Sequence, residues 1–533
     1  MPAEGKTGDR AMAATIRVLV GSAGTGKTSR VLALLDEAIE RTQSKPENVL
    51  FASLTRAARQ EAAERAGAKW GISADALMKR HFFKTVHAIA FRSAIGDVLT
   101  DSESDEKWRA TVLGSHVSEL SRWDAARMSM RGSFSGGYYG QAAIENYEAR
   151  KRIDGRVDFT DMLSAFAGVQ FGPDGKFRRV APRGDVPPGI IVAAFDEHQD
   201  ASPLLDLCCR RIIDESPDLD EVIFAGDPHQ SIYSFMGSSP DQLLKWRDRA
   251  TIVEEQTKTY RCPRFVVAAG EAILRPTKAY RSRIMAPASR AGVVRVIRFD
   301  RVAEIVAASE GKVFILARCG FTLGRYREEL DLVGIPHATL ELSGPSQRTT
   351  GLAALYALER DEAVSASAFA AAVAILPAKG LFTRGVKNRW KNHETVAAWG
   401  VIVRDQIVDA GGTPELVDAI ASGRWTAAVD GAGDWCHRAN RFGVDELVNP
   451  RVRIGTVHSS KGLECDLVIV STECSRAAAL SDRDEERRIA YVAVTRTRGD
   501  CLIVDEGETR VFSLATLAEP GGIDAIINEV AAA

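Results

Sequence analysis

At 533 residues, with 45% hydrophobic and 26% charged residues, the chain is globular in composition and too long for one core, so three or four compact units are expected. A formal net charge of −2 gives no overall basic signal for nucleic acid, so any polyanion would be held along a local cationic channel. The eight cysteines contain no C-x-x-C pair, which excludes the usual zinc and iron–sulfur spacings, and no apolar run approaches the roughly 18 residues of a membrane span. With no signal-peptide pattern at its start, the expectation is a cytoplasmic protein that contacts no membrane.

The first apolar run, Ile16–Val20, reads as a buried strand leading straight into Gly21, Ser22, Ala23, Gly24, Thr25, Gly26, Lys27 and Thr28. A helix follows, its apolar face marked by Val31, Leu32, Leu34, Leu35, Ala38 and Ile39. This is G-x-x-x-x-G-K-[ST] in its strand–loop–helix setting. The glycines let successive N–H groups converge on phosphate oxygens, Lys27 neutralises the β- and γ-phosphates of ATP, and Thr28 offers its hydroxyl to Mg²⁺. Val49–Ala52 is a second strand, and residues 93–157 read as helical with a glycine-rich interruption at 132–140. Ile190–Phe195 is a third buried strand, ending in Asp196–Glu197–His198–Gln199–Asp200. A carboxylate at that strand end reaches the metal of a neighbouring phosphate loop, so Asp196 is the expected Mg²⁺ residue and Glu197 the base for the attacking water.

Beyond the strand Val222–Ala225 come Tyr233 and Phe235, two apart, a pattern suited to stacking on bases. Val313–Leu316, Leu467–Val470 and Leu502–Val504 are further strands, and between them residues 346–449 are alanine-rich and helical with breaks at Gly411–Gly412 and Gly431–Gly433. Strands alternating with helices imply an α/β fold, and their grouping implies two sheet-bearing domains, each interrupted by a helical insertion. Two basic clusters, Arg150–Lys151–Arg152 and Lys387, Arg389 and Lys391 around Trp390, are candidates for holding duplex phosphates.

Taken in order, GSAGTGKT, SLTRAA, TVH, DEHQD, GDPHQSIYSFMG, TYRCP, TVHSSKGLE and AYVAVTRTR resemble the helicase motifs of the UvrD/Rep/PcrA-like branch of superfamily 1, from Gly21 to Arg498. The resemblance implies two tandem RecA-like parallel-sheet domains: 1–92 with 158–255, and 256–345 with 450–533. The insertions are then 93–157 and 346–449. It further implies that Gln230 senses the γ-phosphate, Tyr260 stacks on adenine, Glu464 binds ribose, and Arg261 and Arg496 are arginine fingers. Thr55, Arg56, Thr85, His87, Thr456 and His458 match positions that touch the strand backbone, with Tyr233 and Phe235 stacking on its bases.

Some positions depart from the family pattern. Leu54 stands where an aromatic is usual, Met236 where arginine is, the first glutamine is Gln43, and the second insertion is short. The expected activity is ATP-dependent 3′→5′ DNA unwinding on single strands and single/double-strand junctions, by a monomer or DNA-induced dimer working with replication or repair proteins. The alternatives are a translocase that displaces proteins with little unwinding, and a nucleotide-gated binding module that does not cycle.

Overall fold

The computed structural model describes residues 14–54, 56–79, 82–91, 96–131, 134, 136–172, 176–278, 285–340, 344–480 and 483–505. Two six-stranded sheets dominate it. The first contains β1 (Thr15–Gly21), β2 (Val49–Ser53), β3 (Phe82–Thr85), β4 (Val192–Asp196), β5 (Glu221–Gly226) and β6 (Ile252–Gln256). Their spatial order is β6-β1-β5-β4-β2-β3, every neighbouring pair parallel.

The second contains β7 (Val294–Arg298), β8 (Val313–Ala317), β9 (His337–Thr339), β10 (Val452–Thr456), β11 (Cys465–Ser471) and β12 (Thr497–Asp505). Its order is β7-β12-β11-β8-β10-β9, again wholly parallel. The tandem RecA-like α/β fold is therefore present. The strands that pattern alone did not single out are short or carry charges. The edge strand β6, sequence IVEEQ, is largely exposed, and β9 is three residues long.

Side-chain alternation explains the layering. Along β1, Val18 and Val20 enter a core with Phe195, Phe224 and Leu205, whereas Leu19 faces Val31, Leu35 and Phe51 on the other side. In the second sheet Phe314 and Leu316 face one core, Val313 and Ile315 the opposite one. Both sheets are thus covered on both faces, as parallel sheets require.

Between β3 and β4, helices Glu103–Leu113, Val117–Met128 and Gly137–Ile153 form a small unit around Leu113, Trp123, Ile144 and Tyr147. Of the expected interruption, residues 132, 133 and 135 lie outside the described residues, and Gly137–Gly140 form the first turn of a helix. The helices between β9 and β10 enclose their own core, which includes Leu355, Phe369, Trp390 and Trp425.

Each basic cluster is tied down in part: Arg150, Arg152, Arg389 and Lys391 are exposed, whereas Lys151 and Trp390 are buried. Lys151 is 2% exposed, its ammonium 2.6 Å from Asp158, 2.6 Å from Asp161 and 3.0 Å from Glu148. Arg127 reaches the same carboxylates, so this network fastens the helical unit to the helix Phe159–Ala167 of the first core. Arg150 pairs with Asp154 at 2.9 Å. In the second insertion Arg389 and the buried Trp390 both donate to Ala410 O, at 2.7 and 3.0 Å. A charge run in sequence does not reveal the carboxylates and carbonyls that other segments bring to it. Among the described residues, no helix is long and apolar enough to cross a membrane.

Candidate functional site

The phosphate loop leaves the carboxyl end of β1, where ligands of parallel α/β sheets collect. It turns through Gly24 and Gly26, at φ of 70° and 78°, into the helix Lys27–Thr42. At Gly24 a side chain would meet Arg261 Cβ at 2.3 Å, so glycine is needed for close approach as well as for the turn. Lys27 Nζ donates to Gly21 O at 2.9 Å and Ser22 O at 3.2 Å. Thr28 Oγ1 donates to Asp196 Oδ2 at 2.9 Å, reaching from β1 across β5 to the end of β4. Thr28 and Asp196 thus present hard oxygen donors side by side, a set that suits Mg²⁺. Burial, then the neighbouring Glu197 charge, pushes Asp196 up to about 6.

Glu197 adopts a left-handed backbone, φ 57°. Burial alone would raise its pKa, but Lys27 and Lys461 outweigh it and hold the carboxyl below its ordinary value. Its carboxylate accepts from the Gln199 amide, and Gln199 Oε1 accepts from Asp227 N at 3.0 Å. Asp227 in turn accepts from Gln230 Nε2 at 2.9 Å. Gln199 and Asp227 were not singled out from sequence, although both lie within the quoted motifs.

The second sheet completes the cluster. Arg496, 1% exposed, follows the helix Arg483–Val494 and donates through Nη2 to Gln230 Oε1 at 3.2 Å and through Nε to Val492 O at 2.9 Å. Burial, then Arg261, lowers its pKa to about 10, and among the described residues no carboxylate pairs with it. Arg261 donates to Glu464 at 2.8 Å. Glu464 also lies 3.4 Å from Arg498. Thr259 Oγ1 donates to Ala23 O at 2.8 Å and Tyr260 N to Gly24 O at 2.8 Å, stitching the segment onto the phosphate loop. The Tyr260 ring is 68% exposed and passes within about 4 Å of where a Gly26 side chain would begin.

Two further residues outside the expected set belong here. Lys461 donates to Asp200 and, at 2.6 Å, to Gln230 O, while the Tyr491 hydroxyl accepts from Ala23 N at 3.4 Å. Both sit inside quoted motifs, which was the available signal.

The strand candidates divide into groups. Tyr233, Phe235 and His458 form one aromatic cluster with ring centroids 5.5 to 6.0 Å apart, and Phe235 is 59% exposed. His458 lies 3.1 Å from Ile232 O, and burial pushes its pKa down to about 4, so it is a neutral donor near pH 7. Thr456 donates to Ser459 at 3.3 Å. Thr85 caps the helix Val86–Ala90 by accepting from Ala88 N at 3.1 Å, and His87 meets Phe159 edge-on. Among the described residues, no contact joins Thr85 or His87 to the aromatic cluster. Thr55 lies outside the described residues, and Arg56 opens the helix Arg56–Trp70. Leu54 packs into the first core, while Met236 is exposed beside Phe235.

Two parallel sheets that meet over a phosphate loop, with a buried arginine crossing from one to the other, define the tandem RecA-like class of P-loop proteins. Residues 6–236 match the family described as AAA domain, and residues 441–504 match the UvrD-like helicase C-terminal domain. The chain is 27% identical over 350 residues to the ATP-dependent DNA helicase UvrD2 of Mycobacterium tuberculosis, covering 57% of this chain and 45% of that one. It is 24% identical over 354 residues to F-box DNA helicase 1 of Gallus gallus, covering 61% of this chain and 30% of that one. The chain belongs to the UvrD-like superfamily 1 helicases. It spans less than half the length of these curated relatives.

Proposed function

We propose that the chain is an ATP-dependent DNA helicase that moves 3′→5′ along single-stranded DNA. One arrangement carries the reading: Arg496 of the second sheet hydrogen-bonds Gln230 of the first, with Arg261 packed on the phosphate loop. In this assignment, residues 1–92 and 158–255 are the ATP-binding half and 256–345 and 450–533 the arginine-donating half. The insertions are 93–157 and 346–449.

The loop N–H groups from Gly21 to Thr28 bind the triphosphate, Lys27 balances its charge, and Tyr260 and Glu464 take adenine and ribose. Thr28 and Asp196 would hold Mg²⁺, which draws charge from the phosphate oxygens. Glu197, oriented by Gln199, takes the proton as water attacks the γ-phosphorus and ADP leaves. Arg261 and Arg496 neutralise the transferring phosphoryl only while the halves are together, so turnover is coupled to opening and closing of the cleft. Tyr233 and Phe235 grip bases without reading sequence. Thr55, Arg56, Thr85, His87, Thr456 and His458 hold the strand backbone.

The buried Lys151 and Trp390 favour a second reading, translocation that displaces proteins with little unwinding. Strand displacement on 3′-tailed and 5′-tailed duplexes, alongside ATPase rates with DNA, RNA or neither, separates these readings. Unwinding confined to 5′-tailed duplexes refutes the polarity. Lys27→Ala and Glu197→Gln are expected to lower strand-stimulated turnover by about a hundredfold or more. Unchanged turnover in Glu197→Gln would remove that residue as the base.

A further inference from the structure

A cavity of about 290 Å³ lies on the first core, away from the phosphate loop, close to the lower size limit of ligand pockets. Its apolar wall includes Met130 and Phe177, and its rim carries Arg179, Arg210 and Lys245. The one carboxylate that lines it, Asp206, is already engaged by Trp246 at 2.6 Å, by Arg210 Nε at 2.7 Å and by His198 at 3.0 Å. Among the described residues, neither Arg179 nor Lys245 pairs with a carboxylate, so the rim keeps a positive charge that the pocket itself does not cancel.

Gln242 adds a second, independent observation. It lines the same cavity at 4% exposure, and its amide is the uncharged donor and acceptor group among the lining side chains.

Chain segments link the cavity to the aromatic cluster. Gly237, two residues beyond Phe235, packs so closely on the helix Val117–Met128 that a side chain there would meet Met128 Cβ at 2.9 Å. Met130 forms the cavity rim two residues after Met128, and the helix Asp241–Arg249, which carries Gln242 and Lys245, begins four residues after Gly237.

We propose that this cavity binds one nucleotide of the single strand just beyond the Tyr233–Phe235 grip, and so lengthens the strand's footprint on the first core. The base lies against Phe177 and Met130, its edge meets the Gln242 amide, and the flanking phosphates meet Arg179, Lys245 and the free end of Arg210. Every base edge offers a donor or an acceptor to an amide, so the site is tolerant of sequence. This inference rests on the strand-translocase reading and deepens it.

The test uses the full chain, an Arg179→Ala/Lys245→Ala double variant and, separately, Gln242→Ala. Oligonucleotide affinity is measured by fluorescence anisotropy across a salt series, and iodouracil-containing strands are photocrosslinked to the wild type. Two lost phosphate contacts flatten the slope of log K against log salt by about 1.4 for a single strand, and affinity for longer oligonucleotides falls about tenfold at low salt. Gln242→Ala weakens binding without changing the slope. ATPase at saturating strand stays within about twofold of the parent, because none of these residues touches the phosphate site. A crosslink to Phe177 or Met130 supports the site.

An unchanged slope and affinity in the double variant, with no crosslink near the cavity, overturns it. So does an oligoglutamate peptide that binds the parent and loses affinity in the double variant while strand binding is unaffected, since the cavity then takes an acidic protein segment. A parent chain that binds no strand refutes the translocase reading itself, an outcome separate from either.

Discussion

Replacing Lys151 by methionine distinguishes a phosphate-binding surface from a structural clamp. The ammonium stands 2.6 Å from Asp158 and from Asp161, 3.0 Å from Glu148, and 4.9 Å from the Tyr147 ring centroid. With Arg127 it offsets Asp124, Glu148, Asp158 and Asp161, so two cations already face four carboxylates. Methionine keeps the length of the side chain and removes the charge. Breaking a buried ion pair from one side costs about 3–5 kcal/mol. For a domain of this size that lowers the melting temperature by about 6–20 °C, readable by calorimetry or circular dichroism.

The deficit has a pH signature. Burial, then the neighbouring Asp158 charge, pushes Asp161 up to about 6, above its unfolded value. Such a carboxyl binds its proton more tightly in the folded state, so stability from this group rises as pH falls through about 6 toward the unfolded pKa. The gap between Lys151→Met and the parent therefore narrows at about pH 5 relative to neutral pH. A melting temperature within about 2 °C of the parent, together with a clear loss of duplex affinity, refutes the clamp and restores the lysine to the surface.

Arg496→Ala is expected to cut strand-stimulated ATPase by about a thousandfold while the melting temperature holds or rises, since it removes a buried cation that no carboxylate balances; a lower melting temperature with intact turnover would contradict its role. Gly24→Ala forces a side chain onto a left-handed backbone and against Arg261, so turnover should drop more than about tenfold while the melting temperature changes by only a few degrees. Tyr491→Phe removes the hydroxyl that accepts the Ala23 N–H and leaves that group to phosphate, so ATP should bind about twofold to tenfold more tightly. Weaker ATP binding in Tyr491→Phe would show that the hydroxyl supports the loop instead.

The buried strands were legible because parallel sheets covered on both faces need near-continuous apolar runs, and Ile16–Val20, Val222–Ala225 and Leu467–Val470 supply them. The edge strand Ile252–Gln256 was not, since one side faces solvent and admits Glu254 and Glu255. The phosphate loop could be read from spacing because its chemistry is local to eight consecutive residues. Its partners from beyond the first sheet, Thr259 and Tyr491, meet it only once two distant segments fold together. Lys151 failed for the same reason in reverse: three positive residues in a row look solvent-facing until Asp158 and Asp161 are brought against the middle one.

The left-handed turn at Glu197 sets an evolutionary cost. A glutamate held there forfeits about 1–3 kcal/mol that glycine or asparagine would recover. Only a change to one of those two residues both removes the acid and relieves the strain. A homologue with Gly or Asn at this position would therefore be expected to be more stable and to lack the carboxylate.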